Sequence, residues 1–397
     1  MNIGIVGPFN PQSVSEYLDN FIPQESNISR SAPSVETYVI GLLRDGHYVR
    51  IFTLHTGDKN ILHFYGKQID IYSIKSGDSL CFFKPLFDIW KSSISLKKLI
   101  KKHIKGLDVL HAQWTYEYAF ATTTFTHQLP VFCTVRDWAP YVWSTIKGWF
   151  RNYRFLWISK IIMWRKVINN KNIHFIANSE YTQKCLKNAK KGDIPIIYNP
   201  IDTQFIKKER IKYPDHPILI SVSVNLSERK NYNTLIKAFS LLLKRHPDAE
   251  LLLCGAPFNK NNPPIKEWQN LGLLNHVHLI GKVNHEQLFN YYDQATLLVH
   301  PSIEETFGNT LIEAMARRIP CIGGKKAGAV PFVLDHGKCG LLCDVTNPDS
   351  ICNTINRIIE EKELYNSLVN TGTEQLLEKY ADNVIVKRHI EYYKTFK

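Results

Sequence analysis

ATLLVHPSIEETFGNTLIEAMARRIPCIGG, residues 295 to 324, runs from strand to turn to helix to strand. Ala295 to Ser302 is apolar enough for a buried strand, Asn309 to Arg318 carries apolar residues at helical spacing, and Pro320 to Gly324 reads as the next strand. A Phe-Gly-Asn turn at 307 to 309 opens the helix, whose first-turn amides suit an anion. Gly308 lets that backbone approach a ligand closely. Glu305 falls at the carboxyl end of the strand and Glu313 about one turn into the helix, so both can face one crevice. Two carboxylates beside a phosphate-sized amide cradle suit a ligand with hydroxyls and a diphosphate, such as a nucleotide sugar. The plainer reading makes Glu305 a loop charge and Glu313 a solvated helix residue. The apolar segment from Ala314 to Ile319 argues against it at 313.

The same alternation extends outward. In the second half, residues 218 to 224, 250 to 255, 277 to 283, 295 to 300, 320 to 324 and 340 to 344 read as strands separated by helix-length segments. The first half repeats it at 2 to 7, 48 to 54, 108 to 113, 131 to 135, 173 to 178 and 194 to 199. The expected fold is α/β, with two doubly wound parallel-sheet domains facing across a cleft: 1 to 200 and 201 to 380. The boundary falls near YNPIDTQF (198 to 205), and Tyr380 to Lys397 form an aromatic, basic tail at helical spacing.

Open parallel sheets bind ligands beyond the carboxyl ends of their strands. The first strand of the second half is followed by NLSERKN (225 to 231), the third by Lys282-Val283-Asn284, and the fourth by Glu304-Glu305. An ammonium at Lys230 can neutralise a diphosphate leaving group, and Arg229 offers a second charge beside it; as a plainer reading both are a solvated pair in a surface turn. In the first half, TVRDWAPY (134 to 141) places Arg136 and Asp137 at a strand end, and LHAQWTYEY (110 to 118) places His111, Trp114 and Glu117 at another. A neighbouring Arg-Asp pair, or a histidine there, also has a purely structural reading.

The formal net charge of +13 on 397 residues points to anionic partners without choosing among phosphates, acidic lipid and nucleic acid. Trp138 to Ser179 contains no acid. It interleaves Lys147, Arg151, Arg154, Lys160, Arg165, Lys166 and Lys171 with Trp143, Trp149, Phe150, Trp157 and Trp164. That mixture suits contact with an anionic membrane, and Lys97, Lys98, Lys101, Lys102 and Lys105 form a second basic cluster; a buried helix with a wet basic face is the plainer alternative. No nucleic-acid motif accompanies the charge, and no nucleic-acid partner is expected. Eight cysteines lie mostly in apolar runs, as reduced core residues of a cytosolic protein do, and the Cys339/Cys343 spacing lacks a second pair for zinc. MNIGIVGPF begins directly as a strand, so neither secretion nor membrane spanning is expected. Complete dinucleotide, P-loop, HExxH and GxSxG motifs are missing, which removes support for nicotinamide enzymes, kinases, zinc proteases and serine hydrolases.

Glu305 and Glu313 within EETFGNTLIEAMARRIP match the E-x7-E signature, and RDGHYVRIFT (44 to 53), ANSEYT (177 to 182) and YNPID (198 to 202) resemble further landmarks. Over nearly its whole length the chain resembles the retaining glycosyltransferases of family 4 type with the GT-B fold, including bacterial polysaccharide enzymes. The resemblance implies a metal-independent hexosyltransferase needing no cofactor, with retention through front-face attack. Its partners would be a UDP- or GDP-sugar donor and a glycan or lipid-linked acceptor, at the cytoplasmic face of the cell membrane. Glu305 would hold donor sugar hydroxyls, Glu313 the ribose, the amides of Phe307, Gly308, Asn309 and Thr310 the diphosphate, Lys230 the departing phosphate, and backbone at Lys282 and Val283 the base. The tail would return to the first domain. The chain departs from the pattern at Asn225, where an Arg is usual and Arg229 is the substitute, at Arg136, where a His is usual, and at Ala32-Pro33-Ser34, where a glycine pair is usual. These departures keep two alternatives open: a catalytically silent nucleotide-sugar or membrane-binding protein on the same fold, and a GT-B phosphorylase or epimerase.

Overall fold

A computed structural model describes residues 1–23, 31–76, 84–145, 152–190, 192–209 and 216–396. The chain divides into two compact units, Met1–Pro200 with Asp382–Lys397, and Ile201–Ala381.

The first unit holds a seven-stranded sheet in the order β3-β4-β2-β1-β5-β6-β7. Its strands are β1 (Asn2–Val6), β2 (Tyr48–His55), β3 (Ile61–Gly66), β4 (Ile69–Lys75), β5 (Val109–Ala112), β6 (Val131–Val135) and β7 (Ile173–Ala177). Central strands such as β6, with all five residues buried, carry continuous apolar sequence because helices cover both faces. The sheet is parallel as expected except at one edge, where β3 runs antiparallel to β4 with Ile61 opposite Ile74. β3 alternates exposed and buried residues, a weaker signal than a buried run and the usual pattern of an edge strand with one wet face. One correction concerns 194 to 199, which forms no strand: Ile196 makes one isolated bridge to Ala177, and the segment leads straight to the unit boundary.

The terminal helix Asp382–Lys394 packs on helix Pro33–Arg44 within this unit. A Cβ at Gly41 would meet Val386, so glycine permits the close approach. Arg44 pairs with Asp382 at 2.9 Å, and the Tyr38 and Tyr393 hydroxyls share a 2.8 Å hydrogen bond.

The second unit holds a six-stranded parallel sheet in the order β10-β9-β8-β11-β12-β13. The strands are β8 (Ile218–Val222), β9 (Glu250–Cys254), β10 (Val277–Gly281), β11 (Leu297–Val299), β12 (Cys321–Gly324) and β13 (Leu341–Cys343). Leu219, Leu251, Leu253, Leu297 and Ile322 pack against helix residues such as Leu235, Phe239 and Ile355 to form its core. Chain order runs from β8 to β10 on one side and from β11 to β13 on the other, so the topological switch point lies between β8 and β11. Such a point opens a crevice beyond the strands' carboxyl ends, and the segments after β8 and β11 border it.

Candidate active site

The loop after β8 closes with the 3-10 turn Glu228–Lys230 and Asn231, which adopts φ +57, a left-handed conformation Asn tolerates better than most residues. The Asn231 amide donates to the carbonyls of Pro301 at 3.1 Å and Val345 at 2.7 Å. The Ile303 N–H donates to the Arg229 carbonyl at 2.9 Å. These bonds tie the loop after β8 to the loop after β11, so their side chains share one fixed frame.

Within that frame the Lys230 ammonium donates to Glu305 Oε1. Both side chains are mostly buried, at 14% and 13% exposure. Burial alone raises the Glu305 carboxyl, but the Lys230 charge and then His300 outweigh it and hold the carboxyl well below the usual carboxylate range. The carbonyl of Glu305 accepts from Ala329 N–H at 2.9 Å. Gly328, at φ +61, passes so close to that carbonyl that any Cβ there would collide with it. Arg229 is committed to Glu304 at 3.0 Å, and the Asn225 side chain turns back to accept from Ser227 N–H at 3.1 Å. The expected substitution of Arg229 for the charge missing at Asn225 therefore meets a guanidinium already engaged by a buried carboxylate.

Gly308 precedes helix Asn309–Ala316 at φ +98, a conformation that favours glycine, and supplies no side-chain cap to the first-turn amides. Phe307 anchors the turn in the core against Tyr380. Glu313, only 7% exposed, accepts from the Tyr292 hydroxyl at 2.9 Å and lies 3.4 Å from His285 Nε2. Burial and then the Glu313 charge push the Tyr292 phenol well above its ordinary value, so it remains a donor. Tyr292 and His285 belong to helix His285–Gln294, which follows β10 and the segment holding exposed Lys282 and half-buried Val283. Glu313 is thereby linked to the Lys282–Val283 edge, while Glu305 and Lys230 lie at the switch point. No cluster of three or more His, Cys, Asp or Glu placed to hold a metal occurs among the described residues.

Arg136 and Asp137 lie in the first unit, immediately after β6. The Arg136 guanidinium is buried, donating to Gln113 Oε1 at 2.7 Å, Ser34 Oγ at 3.1 Å and Asn199 Oδ1. Burial lowers it to about 10. Its geometry clamps three segments, and half-buried Asp137 accepts from the Tyr116 hydroxyl at 3.3 Å. His111 sits in β5 between Tyr393 Oη at 2.5 Å and Thr134 Oγ1 at 2.8 Å, and burial pushes it well below its ordinary value. It acts there as a neutral packing residue, alongside buried Glu117 and partly buried Trp114.

The aromatic-basic stretch resolves differently from its sequence reading. Lys147, Trp149, Phe150, Arg151 and the Arg154 side chain lie outside the described residues, as does Cys81. Trp157 is buried against Tyr116, and Trp138 packs edge-on against Trp164, so these rings belong to the interior instead of forming an outer aromatic belt. Outward from helix Asn152–Ile168 point Ile158, Ile162, Arg165 and Lys166. The adjacent helix Lys84–His103 exposes Phe87, Ile94, Lys91, Lys97, Lys98, Lys101 and Lys102, and Lys105 just beyond it is exposed too. No described helix is long and apolar enough to cross a membrane. The seven described cysteines form no disulfide.

His300, Tyr292 and His285 are residues of the candidate site that the sequence reading missed, while Glu304, named there only as a strand-end residue, proves to be the partner of Arg229. His300 is the first residue beyond β11, so the strand-end rule already marked its position.

The profile of Glycosyltransferase Family 4 matches residues 33–205, and that of Glycosyl transferases group 1 matches residues 202–375. N-acetyl-alpha-D-glucosaminyl L-malate synthase of Bacillus anthracis is 29% identical over 214 residues, covering 51% of this chain and 53% of that protein. The chain spans about half the length of the curated relatives it matches. Sucrose-phosphate synthase from Thermosynechococcus elongatus superposes with a TM-score of 0.75 at 19% identity, covering 100% of this chain and 98% of that one. Anabaena Alr3699/HepE, solved in complex with UDP and glucose, gives a TM-score of 0.70 at 17% identity with 100% of both chains covered. The structural likenesses establish the GT-B fold, and with two family profiles that together take in residues 33 to 375, the chain belongs to the family 4-like glycosyltransferases.

Proposed function

We propose that the protein transfers a hexose from a UDP- or GDP-sugar to a hydroxyl of a growing, lipid-linked glycan, with retention of configuration and without a metal. The observation that carries this reading is the Lys230–Glu305 pair at the switch point, beside the helix mouth that Gly308 opens.

In this reading the amides of Phe307, Gly308, Asn309 and Thr310 receive the diphosphate. Glu305 accepts hydroxyls of the donor sugar, and Glu313 accepts the ribose hydroxyls. Backbone groups at Lys282 and Val283 meet the base. As the anomeric C–O bond to the β-phosphate breaks, Lys230 balances the charge gathering on the leaving oxygen. The acceptor oxygen bonds to the same face of the anomeric carbon, and its proton passes to the departing phosphate. The first unit supplies the acceptor side, with Asp137 on a loop that Arg136 holds in place. The exposed apolar and basic residues of helices Lys84–His103 and Asn152–Ile168 meet anionic lipid at the inner face of the cell membrane.

The reading is supported by the family and by a neighbour crystallised with UDP and glucose. Incubation with UDP- and GDP-sugars tests it: sugar transfer or donor hydrolysis that Glu305→Ala abolishes is expected. Donor binding without turnover would instead indicate a silent binding protein, and phosphate-dependent turnover or isomerised sugar would indicate a phosphorylase or epimerase.

A further inference from the structure

His300 follows β11 directly, only 5% exposed, and its backbone N–H is fixed to the Ile322 carbonyl at 2.8 Å. Its imidazole spans two groups with different duties in the donor site. Nδ1 lies 3.0 Å from Thr310 Oγ1 in the first helical turn. Nε2 is buried, has no hydrogen-bond partner within ordinary bonding geometry among the described residues, and faces Glu305 Oε1 at 3.4 Å.

We propose that His300 is a positioning residue that couples the sugar end of the donor pocket to its phosphate end, with Nε2 holding Glu305 and Nδ1 holding the Thr310 hydroxyl. This inference rests on the donor reading given above. A neutral imidazole offers one donor and one acceptor. The ionised Glu305 carboxylate only accepts, so Nε2–H points toward it and Nδ1 accepts from the Thr310 hydroxyl.

The arrangement matters because Lys230 has two claims on it. The ammonium is paired with Glu305, whereas a bound diphosphate would draw it away. His300 then remains as the cationic partner's replacement on the carboxylate, keeping Glu305 aimed at the sugar during charge development. A residue that only filled space would leave Glu305 free to turn at that moment. The cost would appear in turnover more than in ground-state binding.

The test compares His300→Gln, whose amide reaches the Nε2 position, with His300→Asn, whose amide reaches only the Nδ1 position, and with His300→Leu, which reaches neither. Donor affinity, kcat, donor KM and melting temperature are measured on the full chain. His300→Gln is expected to keep kcat within about threefold of wild type, while Asn and Leu lose about 10- to 100-fold with a smaller change in donor KM. Should Leu fail to fold, the Gln and Asn variants decide alone. Equal losses for Gln and Asn, unchanged kcat in all variants, or losses that track melting temperature would overturn the proposal while leaving the donor reading intact. A wild-type protein that neither binds nor turns over any UDP- or GDP-sugar would remove the donor reading and this inference with it.

Discussion

The ammonium of Lys230 and the carboxylate of Glu305 form a direct ion pair, although 75 residues separate them in sequence. Parallel-sheet topology makes the pairing possible: β8 and β11 are neighbours, and the loops after them are sewn together through Asn231 and Ile303. Hydrogen bonds between the two loops thus fix the positions of both charges.

Removing one member of this pair leaves the other charge mostly buried. Lys230→Met is expected to destabilise the protein by about 3 kcal/mol and to lower turnover at least about 100-fold. Combining it with Glu305→Gln should cost less stability than the two single changes summed, because no charge is then stranded. Chemical denaturation of the wild type, both single variants and the double variant checks this; strict additivity would show that the pair is not coupled.

Glu313 depends on the Tyr292 hydroxyl for its orientation. Tyr292→Phe removes one hydrogen bond to a charged group and keeps the ring. The expected result is a donor KM raised about tenfold with kcat little changed, measured by initial rates at varied donor concentration.

Most of the candidate site was legible in sequence because it lies on short, regular connections. A strand end, a glycine turn and a helix with apolar spacing place Glu305, Gly308 and Glu313 within one continuous run. What escaped depends on side-chain contacts that strand and helix spacing do not fix. The tie from His300 to Glu305 and the tie from Tyr292 to Glu313 need tertiary packing to exist, and β3 alternates in a way that a search for buried runs passes over. Trp157 and Trp164 carried the opposite lesson: composition suggested an interfacial belt, but their large apolar surfaces find partners in the interior.

Acid should loosen the first unit. His111 and His389 are both buried and held below their ordinary values by burial, His389 at about 3. The unfolded chain protonates these rings near pH ~6.5, before the folded one does. Their contribution to stability is therefore present above that value and is lost as pH falls toward the folded values, at up to ~1.4 kcal/mol per pH unit for each ring. Denaturation curves at pH 7.5 and 5 should show the loss, and His389→Leu should flatten it; an equal slope in the variant would contradict the assignment.

Membrane contact should depend on the outward residues of helices Lys84–His103 and Asn152–Ile168 and not on the tryptophans. Vesicles rich in phosphatidylglycerol are expected to sediment the protein at low salt and release it as salt rises, while neutral phosphatidylcholine vesicles do not. Replacing Phe87, Ile94, Ile158 and Ile162 with Ser should abolish sedimentation with catalysis on a soluble acceptor retained. Equal binding to both vesicle types would count against the surface.

Chelation offers a separate check on the charge-balancing role given to Lys230. Turnover measured with excess EDTA is expected to match turnover with magnesium, and a loss of activity restored by added divalent cation would assign that role to a metal.

The most direct measurement of the central claim is calorimetric titration of the full chain with a panel of UDP- and GDP-sugars, repeated with Glu313→Ala. One donor is expected to bind with an affinity in the micromolar to millimolar range, weakened at least about tenfold by the substitution. Binding of no nucleotide sugar, or binding unaffected by Glu313→Ala, would contradict the account.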